Sequence, residues 1–147
     1  MKLKSKFNIQ IAADGSSASG KTTGARLFSK KYGIKFLSSG LLYRYSSYLI
    51  IKNKPSSERI FLEKKFKKFN LSHLKNKNLH TPEISELSSK IAKKKEIRGI
   101  LKRFQKNFVR RNRKVCIEGR DIGTVIMPNA DIKFFFTCNL NTAARRR

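Results

Sequence analysis

Acidic residues are scarce in this chain. Its 147 residues hold 9 Asp and Glu against 35 Lys and Arg, a formal net charge of +26. Cysteine is scarcer still. Cys116 and Cys138 are the only two, neither belongs to a C-x-x-C pair, and His73 and His80 have no ligand-like spacing to them. That argues against a structural metal site and for two buried, reduced thiols. Long apolar runs are absent too: none approaches the roughly 20 residues that span a bilayer. The basic start Met1-Lys2-Leu3-Lys4-Ser5-Lys6 runs straight into a strand pattern without the apolar stretch of a signal peptide. The expected location is cytoplasmic, with no membrane partner. No internal repeat is visible, and no N-K-x-D motif of the kind that reads guanine.

The excess of positive charge is spread rather than concentrated. Lysine recurs at Lys30-Lys31, Lys64-Lys65, Lys67-Lys68, Lys75, Lys77 and Lys93-Lys94-Lys95 without forming one aromatic-interleaved stripe. A solvated, lysine-rich surface accounts for this, and so does a field that steers anionic small molecules. No nucleic-acid module is recognisable, so specific nucleic-acid binding is not expected.

What is present is a phosphate-binding pattern. Gly15-Ser16-Ser17-Ala18-Ser19-Gly20-Lys21-Thr22 fits G-x-x-x-x-G-K-[ST] at every fixed position. Small residues let the backbone curl so that successive N–H groups point at one anion. Lys21 brings a full charge to the β/γ-phosphates, and Thr22 offers a hydroxyl that can ligate Mg²⁺. The pattern needs a strand before it and a helix after it. Phe7 to Ala13, which alternates apolar and polar and then turns wholly apolar, supplies the first. Ala25, Leu27, Phe28 and Tyr32, at near-helical spacing and closed by Gly33, supply the second.

The rest alternates strands and helices, as in an α/β domain. A short strand is expected over Ile34–Leu37, then a helix from about Leu41 to Ile51, capped by Ser38 or Ser39 and broken at Lys52-Asn53-Lys54-Pro55. Another helix starts near Ser57, with Leu62, Phe66 and Phe69 on one stripe. Asn70 to His80 is polar and aperiodic, a loop or small insert. Thr81-Pro82-Glu83 is a strong helix start, and Lys93-Lys94-Lys95 marks a joint before the amphipathic Ile97, Ile100, Leu101, Phe104 and Phe108. Strands follow over Lys114–Glu118 and Ile132–Thr137. Asn141 or Thr142 would cap a last helix of which only Ala143 to Arg147 remains, so a longer parent chain is expected.

In an open α/β sheet, ligands sit beyond the carboxyl ends of the strands. Four polar clusters fall there: Asp14, Ser39 to Arg44, Glu118 to Asp121, and Asn139. Arginine in such places can hold a phosphate with two parallel N–H donors. Asp14 or Glu118 is positioned to order the waters of a bound metal.

These same residues carry a family resemblance. Ile11-Ala12-Ala13-Asp14-Gly15 with the phosphate loop, then Ser39-Gly40-Leu41-Leu42-Tyr43-Arg44, then Glu118-Gly119-Arg120-Asp121-Ile122-Gly123-Thr124-Val125, resemble the bacterial cytidylate (CMP) kinases. The stretch from Ile126 to Phe136 and the segment His80-Thr81-Pro82-Glu83-Ile84-Ser85 continue the likeness, which covers nearly the whole chain in one order.

The resemblance implies a three-layer α/β/α P-loop kinase domain over 1–147 with a central, mostly parallel sheet, incomplete at its C-terminus. Residues 39–111 would form the helices that bind the nucleoside monophosphate, with a short insert near 70–80. It implies transfer of a phosphoryl group from ATP, with Mg²⁺, to CMP or dCMP, by a monomer whose partners are nucleotides. Gly15, Ser16, Ser17, Ala18, Ser19, Gly20, Lys21, Thr22 and Thr23 would hold ATP, with Thr22 on the metal. Ser39, Arg44 and Arg120 would hold CMP and its phosphate, while Ser89, Arg98 and Asp121 would read the cytosine edge. Lys21, Arg44 and Arg120 would be the catalytic charges. His80 stands where an arginine is common in the family. The lid arginines and a ribose-contacting acid would lie beyond Arg147, so impaired activity is expected of these residues alone. The other readings are a different nucleoside monophosphate kinase and a basic P-loop protein that binds nucleic acid.

Overall fold

The computed structural model describes residues 7–74 and 77–139. The short helix expected around Asn141 to Arg147 and the lysine at position 75 lie outside the described residues. Strand β1 (Ile9–Gly15) leads into helix α1 (Lys21–Tyr32) and strand β2 (Lys35–Ser38). Helices α2 (Ser39–Asn53), α3 (Glu58–Lys67), α4 (Pro82–Ile91) and α5 (Lys95–Arg111) follow, with one 3₁₀ turn at Leu71–Leu74. Strand β3 (Lys114–Gly119), a π-helical turn (Ile122–Ile126) and strand β4 (Ile132–Phe136) complete it. The chain divides into two compact units: one runs to Ser39 and resumes at Lys106, and the other spans Gly40–Gln105.

The first unit is the sheet. Its order is β2-β3-β1-β4, and all three pairings are parallel. Parallel strands require crossover connections, and α1 supplies the one from β1 to β2, which lie on either side of β3. β1 is central, and its alternation shows how. Ile9, Ile11 and Ala13 share one face and pack in a core with Ala25, Ile34 and Cys116, against which Phe28, Tyr32 and Phe136 also lie. Two sequence expectations change here. Leu27 is 63% exposed, and Ser29 takes the buried position beside Ala25. Cys138, expected to be buried, is only half-buried, unlike Cys116, and it follows a strand β4 whose Phe134 and Phe135 are exposed.

Local chemistry sets the ends of α1. Gly33 adopts φ 66°, a left-handed position that glycine takes without a Cβ clash, and its N–H closes on the Ser29 carbonyl. Gly24 is glycine for another reason. A Cβ there would sit 2.7 Å from the Phe136 ring, so α1 and β4 approach through the missing side chain.

The second unit is helical. Ser57 and Thr81 cap α3 and α4, each accepting a backbone N–H in the first turn, from Ile60 and Ile84 respectively. An aromatic cluster ties its helices together: Phe66 of α3 and Phe104 of α5 meet edge-on at 5.6 Å, and Phe69 lies 5.3 Å from Tyr45 of α2. Phe69 belongs to this cluster although α3 ends at Lys67. Glu58 pairs with Lys94, and Glu63 with Arg103, joining α3 to the start and middle of α5. Gln105, which the apolar pattern does not mark, is buried in α5. None of the helices among the described residues is long and apolar enough to cross a membrane.

Candidate active site

All four strands point the same way, so their carboxyl ends form one edge of the sheet. Register aligns Ser38 with Glu118, Asp14 with Gly119, and Gly15 with Phe136 along that edge. Chain leaving β1 there must turn sharply. Ala18 (φ 61°) and Gly20 (φ 84°) take left-handed conformations in doing so. The Ser19 hydroxyl donates to the Ser16 carbonyl at 2.9 Å and braces the turn. A Cβ on Gly15 would meet the Phe136 carbonyl at 2.5 Å and the Ser19 hydroxyl at 2.9 Å, so the loop passes β4 too closely for any side chain.

Gly20 occupies the N-cap of α1, and no side chain caps that helix. Its first N–H groups, and the positive end of its dipole, are thereby left for an anion. Lys21 is turned onto the same loop: its Nζ donates to the Ser16 carbonyl at 3.2 Å and lies 4.0 Å from the Glu118 carboxylate. Glu118 is buried and accepts a hydrogen bond from the Ser38 hydroxyl. One ammonium and one carboxylate thus stand together at the mouth of the loop, with the half-buried Thr22 following Lys21 and the exposed Ser16, Ser17 and Thr23 around it.

Asp14 does something else. Both its oxygens accept backbone N–H bonds at 2.7 Å, Oδ1 from Ile122 and Oδ2 from Gly123. The sequence offers Asp14 or Glu118 for ordering metal-bound water; in the structure the Asp14 carboxylate braces the turn after β3 with one N–H bond to each oxygen. Glu118 is the carboxylate left beside Lys21. Between β3 and that turn lie Arg120, which is exposed and has no hydrogen bond or ion pair among the described residues, and the half-buried Asp121. Ser39 is buried at the start of α2, its Cβ 3.1 Å from where a side chain on Gly119 would begin.

The remaining site residues belong to the second unit. Arg44 in α2 donates through one nitrogen to the Leu79 carbonyl at 3.0 Å and to the Ser85 hydroxyl at 2.8 Å. Ser89 in α4 is exposed, and its hydroxyl returns to the Ser85 carbonyl one turn back, at 3.1 Å. Arg98 in α5 is exposed and reaches the Ala92 carbonyl at 3.4 Å. His80 is exposed as well.

The sequence as a whole matches the family model described as Cytidylate kinase over residues 11–147. The chain belongs to the cytidylate kinase family. It is 36% identical over 144 residues to the cytidylate kinase of Rickettsia canadensis, which covers 95% of this chain and 64% of that protein. The cytidylate kinases of Thermosipho melanesiensis and Fervidobacterium nodosum are each 37% identical, covering 94% and 96% of this chain and 67% and 68% of theirs. The chain thus spans about two thirds of the length of these curated relatives.

Some side chains do more than their sequence position announces. The Asp14 clamp and the π-helical turn at Ile122–Ile126 were not marked by any pattern, since a π-turn has no sequence period of its own at five residues. The anchors of Arg44 at Leu79 and Ser85 lie 35 and 41 residues away in sequence, beyond the reach of helical spacing. Among the described residues no group of three or more His, Cys, Asp and Glu is arranged to hold a metal ion.

Proposed function

We propose that this chain carries a phosphoryl-donor site for ATP and acceptor residues for CMP or dCMP, in an enzyme of cytoplasmic pyrimidine nucleotide metabolism that forms ADP and CDP or dCDP. The observation that supports it most directly is the uncapped N-terminus of α1, which follows a left-handed loop and presents Lys21 at the carboxyl edge of the sheet. A polyphosphate would be held there by backbone N–H groups and one fixed ammonium. In the transfer, an oxygen of the CMP phosphate bonds to the γ-phosphorus of ATP while the bond from that phosphorus to the β–γ bridging oxygen breaks. Little covalent help is needed, so placement and charge neutralisation carry the catalysis.

Each residue then has a defined task. On binding, Lys21 would leave the Ser16 carbonyl for the β/γ-phosphates and remain within reach of Glu118, which restrains its direction. Arg44 and Arg120 would hold two mutually repelling anions together. Ser39 would contact the CMP, and Ser89, Arg98 and Asp121 would hydrogen-bond the cytosine edge. These assignments rest on the family resemblance. Mg²⁺ enters with ATP as part of the substrate, with the Thr22 hydroxyl as its protein ligand. Bound there, it would neutralise charge on the triphosphate.

Calorimetric titration with ATP, then with CMP, dCMP, UMP, AMP and GMP, tests the proposal, together with chromatography for CDP formed from ATP and CMP. ATP and CMP are expected to bind, with CMP or dCMP preferred over the purine monophosphates. Equal affinity for all five acceptors would overturn the cytidine assignment. Tight, salt-sensitive binding to nucleic acid without CMP binding would instead favour a P-loop nucleic-acid protein, the reading that the +26 charge suggests.

A further inference from the structure

The acceptor residues Arg120 and Asp121 sit on a short piece of backbone whose two ends are fixed by different means. On one side, the β3–β1 ladder holds Glu118 and Gly119 in register with Ala13 and Asp14. On the other side a π-helical turn begins, closed by the Met127 N–H on the Ile122 carbonyl at 2.7 Å. The N–H groups of Ile122 and Gly123 lie at the start of this turn, where a helical segment supplies no partners of its own. The Asp14 carboxylate takes both, at 2.7 Å each, and is buried in doing so. Asp14 is also the residue immediately before Gly15, where the phosphate loop begins.

From this geometry we infer that Asp14 is a positioning residue for the acceptor side of the site: by clamping Ile122 and Gly123, it fixes where Arg120 and Asp121 stand relative to the phosphate loop. Its chemistry suits that task and no neutral side chain of the same size would. A carboxylate can accept from two adjacent amides at once, whereas a carboxamide offers one acceptor oxygen and would turn an NH₂ group toward the second N–H. Bonds to an ionised acceptor are also stronger than neutral ones. Because the clamp lies on the same carboxylate that precedes the loop, the donor and acceptor halves share one rigid junction. The inference rests on the function proposed above.

Asp14→Asn in the full chain provides the test, read by calorimetry with CMP and, separately, with ATP. One lost bond to a charged acceptor corresponds to about a tenfold change. CMP affinity is therefore expected to fall about tenfold, with ATP affinity changed less than about twofold. Amide hydrogen exchange should quicken at Ile122 and Gly123 and stay slow at Ile11 and Ile117 in the strands, which separates loss of the clamp from general loosening. Gly123→Ala reaches the same contact from the other side and guards against a variant that fails to fold. Its Cβ would stand 3.0 Å from Asp14 Oδ2 and 3.3 Å from Lys133 Cδ, so it should also weaken CMP selectively, by less. An unchanged CMP affinity in both variants overturns the inference alone. So does parallel weakening of ATP and CMP, which would make Asp14 a support of the phosphate loop. A wild-type chain that binds ATP but not CMP overturns the proposed function, and this inference with it.

Discussion

The two units of this chain build their candidate functional residues in opposite ways. At the sheet edge, the phosphate loop is mostly backbone: left-handed turns at Ala18 and Gly20, free N–H groups at the start of α1, and side chains such as Ser19 that serve to hold the turn. In the helical unit, the residues assigned to the acceptor are long or exposed side chains on helix surfaces; Arg44 is already bonded to Leu79 and Ser85, and Ser89 to the preceding turn of its own helix. A backbone site has its geometry set when the strand and helix form. A side-chain site depends on which helix face packs inward and on what each terminal group finds.

Three measurements sharpen or break that contrast. The largest effect is expected from Lys21→Ala, which removes the one fixed ammonium of the backbone site without disturbing the core. Deleting a single preorganised electrostatic group costs on the order of 10²–10³ in rate. In the intact enzyme, phosphoryl transfer should fall by that much while the melting temperature barely moves, and a loss under about threefold would remove Lys21 from the mechanism. Leu62→Ala should do the reverse. Leu62 is fully buried in the helical unit, and such truncations destabilise by about 2–5 kcal/mol. Denaturant melts should show the loss while calorimetry shows ATP affinity unchanged; if ATP affinity fell as well, the two regions would not be separable. The smallest effect belongs to Thr81→Ala. Removing the cap of α4 should cost about 1 kcal/mol, visible as a lower melting temperature. An unchanged melting temperature would mean that α4 is held by packing alone.

How far the sequence discloses this arrangement follows the same division. The phosphate loop is readable because each fixed position answers a local backbone requirement, and Thr81-Pro82-Glu83 is readable because a cap is satisfied within three residues. Helix periodicity is less decisive. The spacing of Ala25, Leu27, Phe28 and Tyr32 defines a helix but not its inward face, and packing against β1 chooses Ala25 and Ser29 while turning Leu27 to solvent. Partners distant in sequence are not readable at all. Asp14 reads as a polar residue at a strand end, and only the folded sheet shows Ile122 and Gly123 against it, 108 and 109 residues on. The roles of Ser89 and Arg98 come from family likeness, since by pattern both are ordinary exposed helix residues.

The near-contact of Gly24 with Phe136 has a consequence for how such chains can diverge. A Cβ at position 24 would stand 2.7 Å from the Phe136 ring, so a larger residue there calls for the ring to move or for a smaller side chain at 136, whereas 136 can shrink while the glycine stays. In an alignment of relatives, larger residues at position 24 should therefore accompany smaller ones at position 136, a one-way coupling that links the first helix to the last described strand across more than a hundred residues of sequence.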